Sequence, residues 1–355
     1  MDGHRRPHHG EHAAALDARQ VAPGAEGLGG EARQGGGRLN TSPGAAILRT
    51  DEARFAGLDF PFAPRHVEVH DPRFGALRMA AIDEGPRAAP VALLLHGEPT
   101  WSYLYRHIIP VVVAAGYRAV APDFIGFGRS DKLAARADYS YDGFVAWLRQ
   151  FIEQLDLSRI TLVCQDWGGP IGLRVLSELP QRFAAVLAAN TLLPNCEGPP
   201  RGVAGWPGKV IEDWAAFAAA ADDMPVSAII GGVSKRPLSE LALRAYDAPF
   251  PDASYKAAAL AFPPLIPIRA DMPGIAENRR VWEMLEKFTL PFLTAFSDSD
   301  PTTAPWAEVF RRRVPGAARQ PHAVITDAGH FLQEDAGGQL AEVLVGMLRR
   351  ASPKE

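Results

Sequence analysis

Val163-Cys164-Gln165-Asp166-Trp167-Gly168-Gly169 joins the apolar run Ile160–Cys164 to the helical pattern Pro170–Leu179. Its form is small-x-nucleophile-x-Gly, the strained strand-to-helix turn that lifts a nucleophile above the carboxyl edge of a sheet. The nucleophile slot holds Asp166 rather than serine, and Cys164 stands where glycine is usual. Gly168 and Gly169 allow the helix to approach the strand closely. An aspartate capping a helix would look the same locally, so the reading depends on what surrounds the turn.

Working outward, the chain alternates strands and helices. Val91–Leu95 is a continuous apolar run ending at His96-Gly97, the mark of a strand buried on both faces. Similar runs occupy Tyr117–Pro122, Ala185–Asn190, Pro291–Phe296 and His322–Thr326, with shorter strands expected at His66–His70 and Leu77–Ile82. Over Tyr141–Leu157 the apolar residues Phe144, Val145, Leu148, Phe151, Ile152 and Leu155 recur every three or four positions, which predicts a helix with one apolar stripe. Such alternation implies an α/β fold: a mostly parallel sheet, here of eight strands, with helices on both faces. The stretch 194–288 breaks the rhythm. It is rich in Ala and Pro, carries helical pieces at Glu212–Ala221 and Ser239–Tyr246, and reads as an inserted helical cap. Gly231-Gly232 is the expected flexible point within it. The core is then expected at 47–193 and 289–351.

Three further loops give the turn its partners. Ala328-Gly329-His330-Phe331 follows the last strand, where a histidine can act as general base. Ser297-Asp298-Ser299-Asp300-Pro301 follows the preceding strand, where Asp300 can orient the imidazole. Asp298 and Asp327 compete for that role; Asp298 reads better as a turn former, and Asp327 lies only three residues before His330. The order nucleophile, acid, base is the one this kind of turn requires. His96-Gly97-Glu98-Pro99 can bring the Glu98 N–H to face the turn, and with the Trp167 N–H it would make an oxyanion hole. Gly126-Phe127-Gly128 is half of a dinucleotide fingerprint without its third glycine, so it reads as a tight loop.

Composition sets the limits. The 355 residues are 47% apolar and 22% charged, with 33 glycines, 31 prolines and a net charge of −4. These values exclude a coiled coil, a collagen-like chain and a wholly disordered one. No strong pull toward nucleic acid or an anionic membrane is expected, and no apolar run reaches the ~18 residues of a membrane span. Two cysteines, Cys164 and Cys196, make no disulfide framework and suit a reducing, cytoplasmic setting. Residues 1–46 hold ten of the glycines, four of the ten histidines (His4, His8, His9, His12) and few large apolar side chains. They read as a disordered tail, with metal capture by the histidines as the alternative.

Five stretches together resemble the haloalkane dehalogenases of the α/β-hydrolase superfamily. They are His96-Gly97-Glu98-Pro99-Thr100-Trp101-Ser102-Tyr103-Leu104-Tyr105-Arg106, Ala121-Pro122-Asp123-Phe124-Ile125-Gly126-Phe127-Gly128-Arg129-Ser130-Asp131, Gln165-Asp166-Trp167-Gly168-Gly169, Asp327-Ala328-Gly329-His330-Phe331 and Ala248-Pro249-Phe250-Pro251-Asp252-Ala253-Ser254-Tyr255. The likeness spans about Ile47 to Arg350 and points to the subfamily whose first member hydrolyses 1,2-dichloroethane. There the acid follows the strand before the histidine strand, which matches Asp300. A sister subfamily would place it near Asn190, which is not an acid.

The resemblance implies hydrolysis of carbon–halogen bonds through an ester on Asp166, with no metal or organic cofactor. Its partners would be a small haloalkane, water and halide, with no nucleic acid, no membrane and a monomeric chain. Halide would be held by indole N–H groups, which donate and cannot react. Trp167 is the first candidate; Trp214 is the second by spacing back from Ala248, with Trp206 as its rival. An epoxide hydrolase shares the fold and the Asp-Trp-Gly-Gly turn but needs cap tyrosines, for which Tyr246 and Tyr255 are available. A non-catalytic ligand-binding member is the other alternative.

Overall fold

The computed structural model describes residues 39–41, 45–197 and 208–351. Eight strands form the main sheet: β1 (Arg65–Asp71), β2 (Gly75–Glu84), β3 (Val91–Leu95), β4 (Arg118–Pro122), β5 (Ile160–Asp166), β6 (Phe183–Thr191), β7 (Phe292–Ser297) and β8 (Ala323–Ile325). Their order is β1-β2-β4-β3-β5-β6-β7-β8. Only β2 runs against the others. The central strands are apolar throughout because both of their faces are covered: every residue of β3 and of β4 is buried. Each leucine so buried contributes roughly 1.5–3 kcal/mol relative to exposure.

Among the described residues there are ten α-helices: α1 (Ile109–Ala114), α2 (Tyr141–Gln154), α3 (Gly168–Glu178), α4 (Gly208–Ala220), α5 (Val226–Val233), α6 (Glu240–Asp247), α7 (Ala257–Leu265), α8 (Ile275–Leu285), α9 (Trp306–Arg313) and α10 (Leu332–Ala351). Ser140 opens α2 by accepting the Gly143 N–H at 3.0 Å. That helix stops at Gln154, ahead of the expected Leu157, because Asp156 turns left-handed with φ 45°. Helices α4 to α8 lie between β6 and β7. Within that segment α4 packs on α7 and α5 on α6, whereas α8 packs on α3. Gly231 and Gly232, expected as a flexible point, lie inside α5 instead. Apolar neighbours such as Ile229 and Ile230 are buried there and hold the helix despite the glycines.

Strand pairing reaches back to Leu39, ahead of the expected start at Ile47. Residues 39–41 and 45–48 pair with each other, and 45–48 pairs with Lys132–Leu133 in a separate small sheet. A strand held by backbone hydrogen bonds needs no apolar run, so it left no pattern to read. The histidines His4, His8, His9 and His12 and the tryptophan Trp206 fall outside the described residues.

Candidate active site

The nucleophile turn stands at the carboxyl end of β5. Asp166 has φ 48°, and the pairing with β6 becomes irregular between Gln165 and Asp166. Such a left-handed residue costs on the order of 1–3 kcal/mol and persists only where its surroundings fix it. Here the Thr191 hydroxyl donates to the Asp166 carbonyl at 2.6 Å. Gly169 is required for that contact, since a Cβ there would overlap the Thr191 hydroxyl. From the other side, a Cβ on Gly97 would overlap the Asp166 carboxylate. The loop therefore approaches closely enough for the Glu98 N–H to donate to Asp166 Oδ1 at 2.8 Å. His96, buried below, fixes the loop: its Nε2 accepts the Phe124 N–H at 3.0 Å. Burial holds the His96 pKa below its ordinary value, so the ring stays a neutral acceptor.

His330 Nε2 lies 3.5 Å from Asp166 Oδ2, and its Nδ1 lies 3.2 Å from Asp300 Oδ2. The second contact is within ion-pair distance but off the line of a straight hydrogen bond. Burial alone would lower the His330 pKa. The charge of Asp300 and the close contacts of the Asp166 and Asp300 carboxylates outweigh it and raise the value to about 10. Asp300 is fully buried and burial pushes its pKa up, yet His330 and donors from Thr302 and Thr303 bring it below the ordinary carboxylate range. Of the competing acids, Asp298 accepts the Asp327 and Ala328 N–H groups at the turn. Asp327 is exposed and pairs with Arg236. Asn190, at the end of β6, donates instead to the carbonyls of Gly329 and His330 at 2.9 and 3.0 Å.

Asp166, Glu98, Trp167 and Trp214 face one cavity of about 60 Å³. Leu192, Ile211, Pro263 and Ile266 complete its largely apolar wall, so α4 and α7 supply part of the lining. The Trp167 ring stacks on Phe262 at 4.7 Å and meets the Tyr141 edge at 5.4 Å. Trp214 stacks on Phe217 at 5.3 Å and lines the same cavity as Glu98. Burial and the Asp166 charge push the Glu98 carboxyl well above its usual range, against the opposing influence of Trp214 and His330. Tyr246 and Tyr255 are absent from the lining: the Tyr246 hydroxyl is turned to Glu334. The Glu98 side chain lines the cavity and Asn190 bridges to the histidine loop; neither placement has a sequence signal, because both depend on burial.

The fold is that of an α/β hydrolase, with the Asp166 carboxylate on the strand-to-helix turn, and residues 90–222 match the family described as alpha/beta hydrolase fold. The chain is 47% identical over 300 residues to a haloalkane dehalogenase of Psychrobacter cryohalolentis, covering 84% of this chain and 97% of that one. A second, from Mycobacterium marinum, is 44% identical over 300 residues, with 84% and 98% covered. The tetrameric haloalkane dehalogenase from Paraglaciecola agarilytica superposes with a TM-score of 0.76 at 36% identity, covering 83% of this chain and 96% of that one. The chain belongs to the haloalkane dehalogenase family: it is a hydrolase acting on carbon–halide bonds. Among the described residues no helix is long and apolar enough to cross a membrane.

Proposed function

We propose that Asp166 is the nucleophile, His330 the general base and Asp300 the acid that orients it. The observation that carries this reading is a carboxylate, contacted by His330 at 3.5 Å, facing two indoles across one small cavity. A carboxylate oxygen attacks the halogen-bearing carbon from behind; the carbon–halogen pair leaves as halide, and an alkyl ester forms on Asp166. Trp167 and Trp214 donate their indole N–H groups to the departing halide in a dry, apolar pocket.

In the second half-reaction, His330 Nε2 takes a proton from water and the oxygen adds to the carboxyl carbon of Asp166. Esterification has removed the Asp166 charge, one of the groups that raise the His330 pKa, so the ring becomes a more available base as it is needed. The Glu98 N–H, already on Oδ1, and the Trp167 N–H stabilise the tetrahedral oxyanion. Collapse breaks the bond to the alkyl oxygen, which takes the proton from His330 and leaves as alcohol. Haloalkane and water thus give alcohol, halide and a proton.

Residues 194–288 serve as a cap over a core of 47–193 and 289–351, since α4 and α7 line the cavity. A monomer is proposed as the working unit, and two cysteines suit the cytoplasm. The test is halide release from 1,2-dibromoethane and 1-bromobutane beside hydrolysis of styrene oxide. Halide release with little diol is expected; epoxide turnover without halide release overturns the reading.

A further inference from the structure

The loop that carries His330 is held through both sides of its backbone. Its carbonyls at Gly329 and His330 accept from Asn190. Its amides go elsewhere. The His330 N–H donates to the Val233 carbonyl at 3.3 Å. The Gly329 N–H donates to Asp335 Oδ2 at 2.8 Å. The same Asp335 carboxylate accepts the Lys235 and Arg236 N–H groups, both at 2.9 Å. Residues 233–236 close α5, so the end of a helix in the 194–288 segment and the histidine loop share one carboxylate.

Asp335 is only 4% exposed, and all three hydrogen bonds given above are from main-chain amides. A buried charge satisfied by backbone N–H groups is strong and directional. Beside the His330–Val233 main-chain bond, the side-chain ties between the segments are peripheral. The Lys235 ammonium reaches Ser299, and Arg236 reaches Asp327; both are exposed. Remove Asp335, and three main-chain N–H groups, that of Gly329 buried, lose their acceptor at once.

We propose that Asp335 is a positioning residue for ester hydrolysis: by joining the Lys235 and Arg236 amides to the Gly329 amide, it fixes the loop that aims His330 at the ester. The inference rests on His330 acting as the base of the second half-reaction. Formation of the ester needs Asp166 and the halide donors but no proton transfer by His330, so only the second step depends on this aim.

The two steps are separable in a single turnover with 1,2-dibromoethane. Bromide release reports ester formation, and intact mass after acid quench reports ester decay. Inactive protein contributes to neither rate, so their ratio is independent of how much of a variant folds. For Asp335→Ala, bromide release within about threefold of wild type and ester decay slowed roughly 10–100-fold are expected, so that the adduct accumulates. Asp335→Asn keeps the volume and one acceptor oxygen; it carries the test if the alanine variant does not fold, with decay slowed about 3–10-fold. Equal changes in both steps, or unchanged decay, overturn the assignment. His330→Phe is run beside them. If it traps no ester, the reaction scheme itself fails; if it traps one while the Asp335 variants keep the wild-type ratio, only the role of Asp335 fails.

Discussion

His330 Nε2 stands 3.5 Å from Asp166 Oδ2 in a site where both side chains are mostly buried. In the proposed scheme, the pair joins a base that needs to be neutral to a nucleophile that needs to be charged. The fold resolves this in favour of charge separation, raising His330 to about 10 from an ordinary 6.5. Its contribution to stability is therefore fully present below 6.5 and is lost as pH rises through about 10. NMR titration of the free enzyme should find the His330 imidazolium persisting well above neutrality. Asp166→Asn removes the charge beside the ring and should lower that value; Asp300→Asn removes the largest raising influence and should lower it further. An ordinary titration near 6.5 in wild type would contradict the coupling.

Replacing the base should separate the two halves of the reaction. His330→Phe leaves Asp166, the Glu98 N–H and the indoles in place but removes proton transfer from water. Mixing this variant with 1,2-dibromoethane is expected to release one equivalent of bromide and leave a stable bromoethyl adduct on Asp166. Intact mass followed by peptide mapping checks it. No adduct, or an adduct elsewhere, would refute the ester route.

The proposed halide donors can be told apart by bromide titration of tryptophan fluorescence. Trp167→Phe and Trp214→Phe each remove one N–H from a charged acceptor, worth about 1.5–3 kcal/mol. Bromide affinity should fall roughly 10–100-fold in each. The Trp206→Phe variant should bind bromide as wild type does. Loss of binding on Trp206→Phe with Trp214→Phe unaffected would move the second donor to Trp206.

Much of this site was legible from order and residue type alone. β3, β5 and the turn at Asp166 announce themselves because a strand buried on both faces must be a continuous apolar run. His330 and Asp300 follow because strand-end loops must carry the remaining chemistry. What was illegible depends on burial and on contacts between distant segments. Asn190 looks like an ordinary polar residue until its Nδ2 is seen bridging to residues 329 and 330. The two-residue strand Lys132–Leu133 has no periodicity to detect. The Glu98 side chain belongs to a loop whose backbone alone had an evident task.

Close approach makes Gly97 a sensitive test of the oxyanion site. A methyl group there meets the Asp166 carboxylate, which cannot retreat because its own backbone is held by Thr191. Gly97→Ala should leave the far-ultraviolet circular dichroism spectrum intact and reduce kcat by about 100-fold or more, as expected for a reacting group displaced by about an ångström. Wild-type turnover in a folded Gly97→Ala protein would mean that the loop has slack the structure does not contain.

Glu98 makes the last prediction. Burial, then the neighbouring Asp166 charge, keep its carboxyl protonated well above the usual carboxylate range, and its Oε1 is buried without a hydrogen-bond partner. The sign follows directly. A carboxyl whose folded pKa is raised contributes stability below its unfolded value and loses it as pH rises through the folded one. Ionised Glu98 would also place a second negative charge against Asp166 and against any halide at Trp214. Bromide affinity in wild type should therefore weaken toward alkaline pH. Glu98→Gln keeps the shape and cannot ionise, so near wild-type turnover at neutral pH is expected together with a flatter alkaline limb of bromide binding. The backbone N–H to Asp166 Oδ1 is untouched by this change, which keeps the oxyanion contact constant between the two proteins. Parallel limbs in wild type and Glu98→Gln would transfer the pH dependence from Glu98 to the His330–Asp166 pair.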